Sequence, residues 1–154
     1  MSTPYLSDSS SLVTVLAVSP SLADHASLQA IFTHSRWRLY QVGSCAEAVS
    51  FLRARPIPVV IGDAGLPDGT WRDLLREVAS LPDPPRLIVT SDLADDRLWA
   101  EALNLGAYDV LAKPFRAPEV FRTVSLAWRQ WKDSFGTIPA NFDNRRVMTA
   151  AAGY

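Results

Sequence analysis

Three side chains of different chemistry close or follow short apolar runs in this 154-residue chain. Asp63 ends one run with a carboxylate, Thr90 ends another with a hydroxyl, and Lys113 follows a third with an ammonium. A carboxylate can act as a nucleophile, and an ammonium can stabilise the negative charge of a transferred group. If the runs are parallel strands of one sheet, the three groups meet at the edge formed by the carboxyl ends of those strands.

Five apolar runs predict the strands that position these side chains. The runs are near-continuous rather than alternating, which is typical of parallel strands that are covered on both faces. They comprise Leu12–Val18, Arg38–Val42, Pro58–Ile61, Arg86–Thr90 and Asp109–Ala112.

Longer amphipathic segments alternate with the runs and predict five helices. Ser19 is the expected N-cap of the first helix, with Pro20 at its first position, and Thr70 is the expected N-cap of the third. Capping-box spacing opens the second helix at Ser44, and Gly106 is the expected end of the fourth. The predicted first helix reaches about His34, and the second stops before Pro56. The third, fourth and fifth cover Trp71–Ser80, Asp92–Leu105 and Ala117–Lys132. The fifth carries a stripe of core residues at helical spacing: Val120, Phe121, Val124, Ala127, Trp128 and Trp131. This βα order implies a doubly wound parallel sheet.

Composition bounds the kind of protein. Hydrophobic residues make up 48% and charged residues 20% of the chain, which is enough to build a core. The net charge of −1 does not indicate a basic nucleic-acid surface, and a single cysteine, Cys45, excludes an intramolecular disulfide. We see neither a secretory signal nor an apolar run of membrane-spanning length, and we expect a soluble, cytoplasmic domain over 11–134 with tails at 1–10 and 135–154.

Three strings resemble the motifs of response-regulator receiver domains. Val59–Gly69 (VVIGDAGLPDG) resembles their phosphoacceptor strand and loop, Val89–Ser91 their hydroxyl-bearing fourth strand, and Gly106–Phe115 (GAYDVLAKPF) their fifth strand with its Lys-Pro pair. With the βα order, the resemblance covers roughly Leu12 to Lys132. It implies a flavodoxin-like (βα)5 fold with strand order 2-1-3-4-5.

The resemblance also implies roles for individual residues. Asp63 would accept a phosphoryl group from a histidine kinase, Thr90 would hydrogen-bond a phosphoryl oxygen, and Lys113 would pair with the carboxylate and then with the phosphoryl group. Gly65 would offer its backbone carbonyl to Mg²⁺. Pro114 would follow a cis peptide bond, for which X-Pro carries the smallest penalty.

The sequence departs from the family where the metal should bind. Receivers place two acidic residues directly after the first strand, and those positions hold Ser19 and Pro20 here. Asp63 would then be the one carboxylate facing Mg²⁺, so we expect weak metal binding and a simple Asp63–Lys113 ion pair in the pocket. Asp24 and Asp92 are the nearest sequence candidates for a substitute ligand.

A second departure lies in the fifth strand, where Val110 occupies the position of the family's aromatic switch residue. Tyr108 stands two residues earlier and would share its face if the strand were regular. In receivers, the surface of the fourth helix, fifth strand and fifth helix is the usual partner or dimer face. Trp99, Tyr108 and Leu126 are therefore the interface candidates.

Two functional hypotheses from different classes follow. In the first, the chain is a stand-alone receiver in a two-component phosphorelay, taking its phosphoryl group from a histidine kinase or phosphotransfer protein and signalling to a downstream protein or a second copy of itself. In the second, it is a pseudo-receiver that binds proteins without phosphorylation. Neither requires nucleic acid or membrane, and an enzyme on the same sheet is disfavoured because no glycine-rich phosphate loop is present.

Overall fold

The computed structural model describes residues 13–135, which form a five-stranded parallel sheet with helices on both faces. The strands are β1 (Thr14–Val18), β2 (Arg38–Val42), β3 (Val59–Asp63), β4 (Gly65–Leu66), β5 (Gly69–Thr70), β6 (Arg86–Ser91) and β7 (Asp109–Ala112). Strands β4 and β5 form a separate antiparallel hairpin that has no counterpart in the predicted elements. The order of the five-stranded sheet is β2-β1-β3-β6-β7, which is the expected order 2-1-3-4-5 with β6 and β7 as the predicted fourth and fifth strands.

Five helices cover the sheet, two on one face and three on the other. The helices are α1 (Leu22–Phe32), α2 (Cys45–Ala54), α3 (Trp71–Ala79), α4 (Asp96–Leu105) and α5 (Ala117–Phe135). One core contains buried residues of α1 and α5, and the other contains buried residues of α2, α3 and α4. None of the helices in the described range is long and apolar enough to span a bilayer.

Strand β3, at the centre of the sheet, shows why the apolar runs are continuous. In β3, Val60 packs into the α2–α3–α4 core, whereas Val59 and Ile61 pack into the α1–α5 core. All three side chains are at most 2% exposed. Successive side chains of a strand point to opposite faces, so a strand with a core on each face needs apolar residues throughout.

Helix α1 begins two residues later than predicted. Its N-cap is Ser21, whose hydroxyl accepts a hydrogen bond from the Asp24 N–H, and the helix ends at Phe32 rather than near His34. The assignment of Ser19 as the cap was therefore wrong. The Ser19 backbone instead continues the sheet, because its N–H donates to the Val42 carbonyl at 3.1 Å.

The other helix ends agree in part with the sequence. Thr70 caps α3 through a complete capping box with Asp73, Ser44 caps α2, and Gly106 ends α4 in the left-handed conformation at φ 110°. Helix α4 starts at Asp96 after an Asp95 cap, not at Asp92. Helix α5 continues three residues past the predicted end at Lys132.

The stripe on α5 packs largely as expected, except that Trp131 is only half-buried and lies outside both cores. Val120, Val124 and Ala127 are fully buried, and Trp128 packs against the same core at its edge. Phe121 contacts the rings of Phe32 and Trp37, with centroid distances of 6.1 and 5.0 Å. Phe135, the first residue of the predicted tail at 135–154, is the last residue of α5. The predicted tail at 1–10 and residues 136–154 lie outside the described residues, and the domain limits remain predictions.

Candidate functional site

The sheet register brings Asp63, Thr90 and Lys113 to one edge. Asp63 is the last residue of β3 and pairs with Thr90 of β6, and Lys113 follows β7 with its N–H bonded to the Ser91 carbonyl at 3.1 Å. The next peptide bond, Lys113–Pro114, is cis. The three side chains that the sequence singled out therefore share one pocket at the carboxyl ends of the strands.

Lys113 stands between two carboxylates in this pocket. Its Nζ lies 2.7 Å from Asp63 Oδ1 and 2.9 Å from Asp24 Oδ2. The side chains are mostly buried, with 13% of Lys113, 16% of Asp63 and 11% of Asp24 exposed. The expected simple Asp63–Lys113 pair is thus a three-membered cluster, and the expectation that Asp63 is the sole carboxylate was wrong.

Asp24 reaches the pocket from the first turn of α1. The Ser19 hydroxyl donates to Asp24 Oδ2 at 2.7 Å and accepts the Ser21 N–H at 3.1 Å. In an ordinary capping box, the acidic residue at the third helical position accepts the N–H of the capping residue. Here Ser19 takes the Ser21 N–H, which leaves the Asp24 carboxylate available to Lys113.

Asp92, the other candidate for a substitute ligand, does not join the cluster. It is exposed in the loop between β6 and α4, and no hydrogen bond or ion pair within residues 13–135 connects it to Asp63 or Lys113. Of the two sequence candidates, the structure brings only Asp24 into the pocket. Spacing alone could not separate them, although the Ser21-x-x-Asp24 pattern marks the start of α1.

The two oxygens of Asp63 have different surroundings. Oδ1 faces Lys113 Nζ and, at 3.5 Å, the Thr90 hydroxyl, which is at the outer limit of a hydrogen bond. Oδ2 accepts the Gly65 N–H at 3.2 Å. The loop after β3 is held in place by Ala64, whose N–H donates to the Thr90 carbonyl at 2.8 Å.

The ammonium of Lys113 remains charged at neutral pH. Burial acts to lower its pKa, but hydrogen bonds and charge attraction from Asp63 and Asp24 outweigh that effect, so the pKa lies above its ordinary value. The cluster then holds two carboxylates and one ammonium. The positive charge is already in place where a negatively charged group would arrive.

The interface candidates lie in different surroundings. Trp99 on α4 is 49% exposed and Leu126 on α5 is 44% exposed, whereas Tyr108 is half-buried against the α1–α5 core. Val110 is 8% exposed and packs into the opposite core. Tyr108 does not share the face of Val110, because the condition of a regular strand is not met: β7 begins only at Asp109.

Asp68 has a structural role that the sequence reasoning missed. Its two carboxylate oxygens accept the N–H groups of Cys45 and Ala46, each at 2.9 Å, so it caps α2 from the loop that follows Asp63. These hydrogen bonds, from Ala46 and then from Cys45, lower the pKa of Asp68. An acidic residue in a turn-rich string gives no indication of a helix partner so distant in the chain.

Comparison with known proteins identifies the family. The model of the response regulator receiver domain matches residues 16–125. The rice (Oryza sativa subsp. japonica) two-component response regulators ORR7 and ORR6 are 31% and 32% identical to this chain over 115 and 117 residues, which is 72% of the chain in each case. These matches cover 54% of ORR7 and 68% of ORR6, so the chain spans only about half the length of the former.

Solved structures show the same fold. A CheY-like response regulator receiver domain protein from Methanospirillum hungatei superposes with a TM-score of 0.70 at 18% identity, over 80% of this chain and 99% of that one. At this level of identity the likeness establishes the fold alone. The order of the sheet and the position of the pocket at its carboxyl edge agree with that fold.

Receiver domains typically bind Mg²⁺ at an acidic pocket, and the facing oxygens of Asp63 and Asp24 do not fit that ion because an ammonium already lies between them. No group of three or more His, Cys, Asp or Glu side chains within residues 13–135 is arranged to hold a metal. The facing oxygens of Asp63 and Asp24 already share the Lys113 ammonium. The same oxygen of Asp24 also accepts a hydrogen bond from the Ser19 hydroxyl. Mg²⁺ requires close oxygen ligands in octahedral geometry, and an ion bound between these two oxygens would have to displace the Lys113 ammonium.

Proposed function

Because the chain belongs to the response regulator receiver domain family of two-component signalling, we propose that Asp63 accepts a phosphoryl group from a phosphohistidine donor. The donor would be a histidine kinase or a phosphotransfer protein. The domain would then signal by contact with a downstream protein, without binding nucleic acid or membrane. Receiver domains are generally signalling modules rather than enzymes, and we propose the same here.

One observation carries the proposal. Asp63 ends β3 with the Lys113 ammonium 2.7 Å from one carboxylate oxygen and the Thr90 hydroxyl opposite in the sheet register. A nucleophile, a cation and a hydroxyl donor are the protein groups that phosphoryl transfer to an aspartate needs. They come from three strands whose ends the parallel sheet aligns.

The two oxygens of Asp63 suggest how the transfer proceeds. Within residues 13–135, the one hydrogen bond to Oδ2 comes from the Gly65 N–H at 3.2 Å, and Oδ2 is the oxygen available for attack. As Oδ2 bonds to phosphorus, the phosphorus–nitrogen bond of the phosphohistidine breaks, and the departing imidazole nitrogen is protonated by solvent. Lys113 and the Thr90 hydroxyl stabilise the charge on the phosphoryl oxygens.

The signal would pass to the surface of α4, β7 and α5. Phosphorylation adds about −1.5 to −2 charge at neutral pH, which would draw Lys113 and Thr90 toward the new group. Trp99 and Leu126 are the exposed apolar residues that we assign to the partner or dimer face, with Tyr108 at its margin. Val110 excludes the usual aromatic switch, so the signal would travel through backbone shifts near Thr90.

A second candidate function is supported by the same pocket. Ser19 and Pro20 replace the acidic pair, and Lys113 is already neutralised by two carboxylates. A cluster in which the cation is already paired also suits a pseudo-receiver, which binds its partner without phosphorylation. In that case Asp63→Asn would leave partner binding unchanged, whereas Trp99→Ala or Leu126→Ala would weaken it.

The two candidates are separated by exposing the purified protein to phosphoramidate, a small donor with a phosphorus–nitrogen bond. We expect the intact mass to increase by one phosphoryl group, and borohydride reduction of the acyl phosphate to map the modification to Asp63. Asp63→Asn should abolish the increase, while Asp92→Asn, an exposed aspartate beside the pocket, should not. Absence of modification in the unaltered protein would contradict the phosphoacceptor function and favour the pseudo-receiver.

A further inference from the structure

We infer that Asp24 is a positioning residue that holds the Lys113 ammonium as the resident cation of the pocket, so that phosphoryl acceptance needs no divalent metal. The part that concerns phosphoryl acceptance rests on the proposed function of Asp63. The part that concerns the cation rests on the geometry of Asp24, Ser19 and Lys113 and can be tested without any phosphoryl donor.

The distances show a hydrogen-bonded ammonium shared by two carboxylates. Nζ lies 2.7 Å from Asp63 Oδ1 and 2.9 Å from Asp24 Oδ2, which is the normal range for charge-assisted N–H···O contacts. Mg²⁺ binds oxygen at about 2.0–2.1 Å and usually retains several waters. A divalent ion on these two oxygens would therefore have to displace the ammonium from between them.

Asp24 is held in position by its own neighbours. The Ser19 hydroxyl, on a residue only 5% exposed, donates to Asp24 Oδ2 at 2.7 Å. The Ser19 carbonyl in turn accepts a hydrogen bond from His25 Nε2 at 2.8 Å, which ties the loop to α1. Ser19 therefore stands where receivers have an acidic residue after β1, and its hydroxyl orients the carboxylate of Asp24 on α1.

The number of donors on the ammonium suits this role. A lysine ammonium has three N–H donors, of which one serves Asp63 and one serves Asp24 in the structure. The third can bind an oxygen of the arriving phosphoryl group. As the Asp63–phosphorus bond forms and the phosphorus–nitrogen bond of the donor breaks, Asp24 keeps Lys113 in place, and the departing amine is protonated by solvent.

The first test is a calorimetric titration of the protein with Mn²⁺, with no phosphoryl donor present. We expect the unaltered protein to bind Mn²⁺ only weakly and Asp24→Asn to leave that affinity unchanged. Lys113→Met leaves two carboxylates facing an empty position and should bind Mn²⁺ at least tenfold more tightly. Adding Asp24→Asn to Lys113→Met should remove the gain.

The chain offers a matched control, because Lys132 is its only other lysine and lies over the Trp128 ring outside the pocket. Lys132→Met should not change Mn²⁺ binding. The inference is overturned if the unaltered protein binds Mn²⁺ as tightly as Lys113→Met, or if Asp24→Asn weakens the binding by the unaltered protein, since Asp24 would then be a metal ligand.

A second measurement does not depend on the folding of Lys113→Met. Protein labelled with ¹⁵N at lysine Nζ contains only two such groups, so each can be followed by NMR. We expect the Lys113 ammonium to exchange its protons slowly, to lose that protection in Asp24→Asn, and to remain sharp when Mn²⁺ is added. Rapid exchange in the unaltered protein, or broadening of this signal by Mn²⁺, would overturn the inference.

The final arm joins the inference to the proposed function. Modification of Asp63 by phosphoramidate should proceed at the same rate, within twofold, in excess EDTA and in millimolar Mg²⁺. A tenfold or greater dependence on Mg²⁺ would overturn the metal-free pocket. No modification in either buffer, with the Mn²⁺ and NMR results as expected, would remove the proposed function and leave Lys113 as the cation of an inactive pocket.

Discussion

The ammonium of Lys113 lies 2.9 Å from the carboxylate of Asp24, a residue 89 positions earlier in the chain. This contact joins the start of α1 to the loop that follows β7 across the carboxyl edge of the sheet. With Asp63, it makes a cluster in which one positive group serves two negative groups. Because two carboxylates share one ammonium, the three side chains should contribute unequally to stability as well as to the chemistry of the pocket.

Removing the positive member of the cluster should cost more than removing either negative member. Lys113→Met leaves two facing carboxylates without a partner, and we expect a loss of about 3 kcal/mol, the low end for broken buried pairs because the groups are slightly exposed. Asp24→Asn and Asp63→Asn each leave a neutral pair and should cost clearly less. Urea unfolding of the three variants at pH 7 measures the difference; equal losses would contradict the shared-cation arrangement.

The Thr90 hydroxyl should matter for phosphorylation and little for folding. Thr90→Val preserves the shape of a side chain that is 2% exposed but removes the donor opposite Asp63. We expect the rate of phosphorylation by phosphoramidate to fall roughly tenfold, as for the loss of one hydrogen bond to a charged group. Thr90→Ser, which keeps the hydroxyl, serves as the control and should retain most of the rate. A Thr90→Val protein with the unaltered rate would place the hydroxyl outside the chemistry.

The contribution of Asp68 to stability should depend on pH. Hydrogen bonds from the Ala46 and Cys45 N–H groups lower the pKa of this carboxyl, so the folded state favours its charged form. The stabilisation is complete above the ordinary aspartate pKa of about 3.9 and disappears as pH falls through the lower folded value. Asp68→Ala should therefore lower the urea midpoint at pH 7 and lower it less and less below pH 4.

Asp83→Ala is the control for that series. Asp83 is exposed in the loop before β6 and should show no comparable pH-dependent difference from the unaltered protein. A loss in Asp68→Ala that stays constant from pH 7 to pH 3 would show that the carboxylate charge does not support the α2 cap.

Gly62 should not tolerate a side chain. A Cβ at this position would lie 2.7 Å from Leu74 Cδ2 and 3.3 Å from Leu87 Cδ1, both in the buried core. Gly62→Ala should therefore reduce the free energy of unfolding by about 1–3 kcal/mol, the usual cost of overpacking. Gly65→Ala is the control, because its Cβ would meet nothing closer than 4.0 Å. Denaturant unfolding with equal midpoints for the two variants would show that Leu74 moves aside at no cost.

The fold was largely readable from local pattern. Continuous apolar runs such as that ending at Val18 indicated strands with a core on each face, and the caps at Ser44 and Thr70 marked the second and third helices. Apart from the short β4–β5 hairpin, which the sequence did not predict, the errors fell at helix ends. Ser19 and Ser21 both suit an N-cap by residue type, and only the sheet, which uses the Ser19 backbone to bond Val42, determined which one begins the helix.

The sequence by itself determined which side chains would reach the edge of the sheet. Asp63, Thr90 and Lys113 end or follow strands, and the parallel register of neighbouring strands aligns those ends. The second partner of Lys113, Asp24, was decided only by the tertiary structure. Asp24 lies on a helix, and its approach to Lys113 depends on where α1 begins, how Ser19 frees its carboxylate, and how the helix packs on the sheet. A contact between residues so far apart in the chain leaves no periodicity or spacing to read, because it is created only when the sheet and its covering helices assemble.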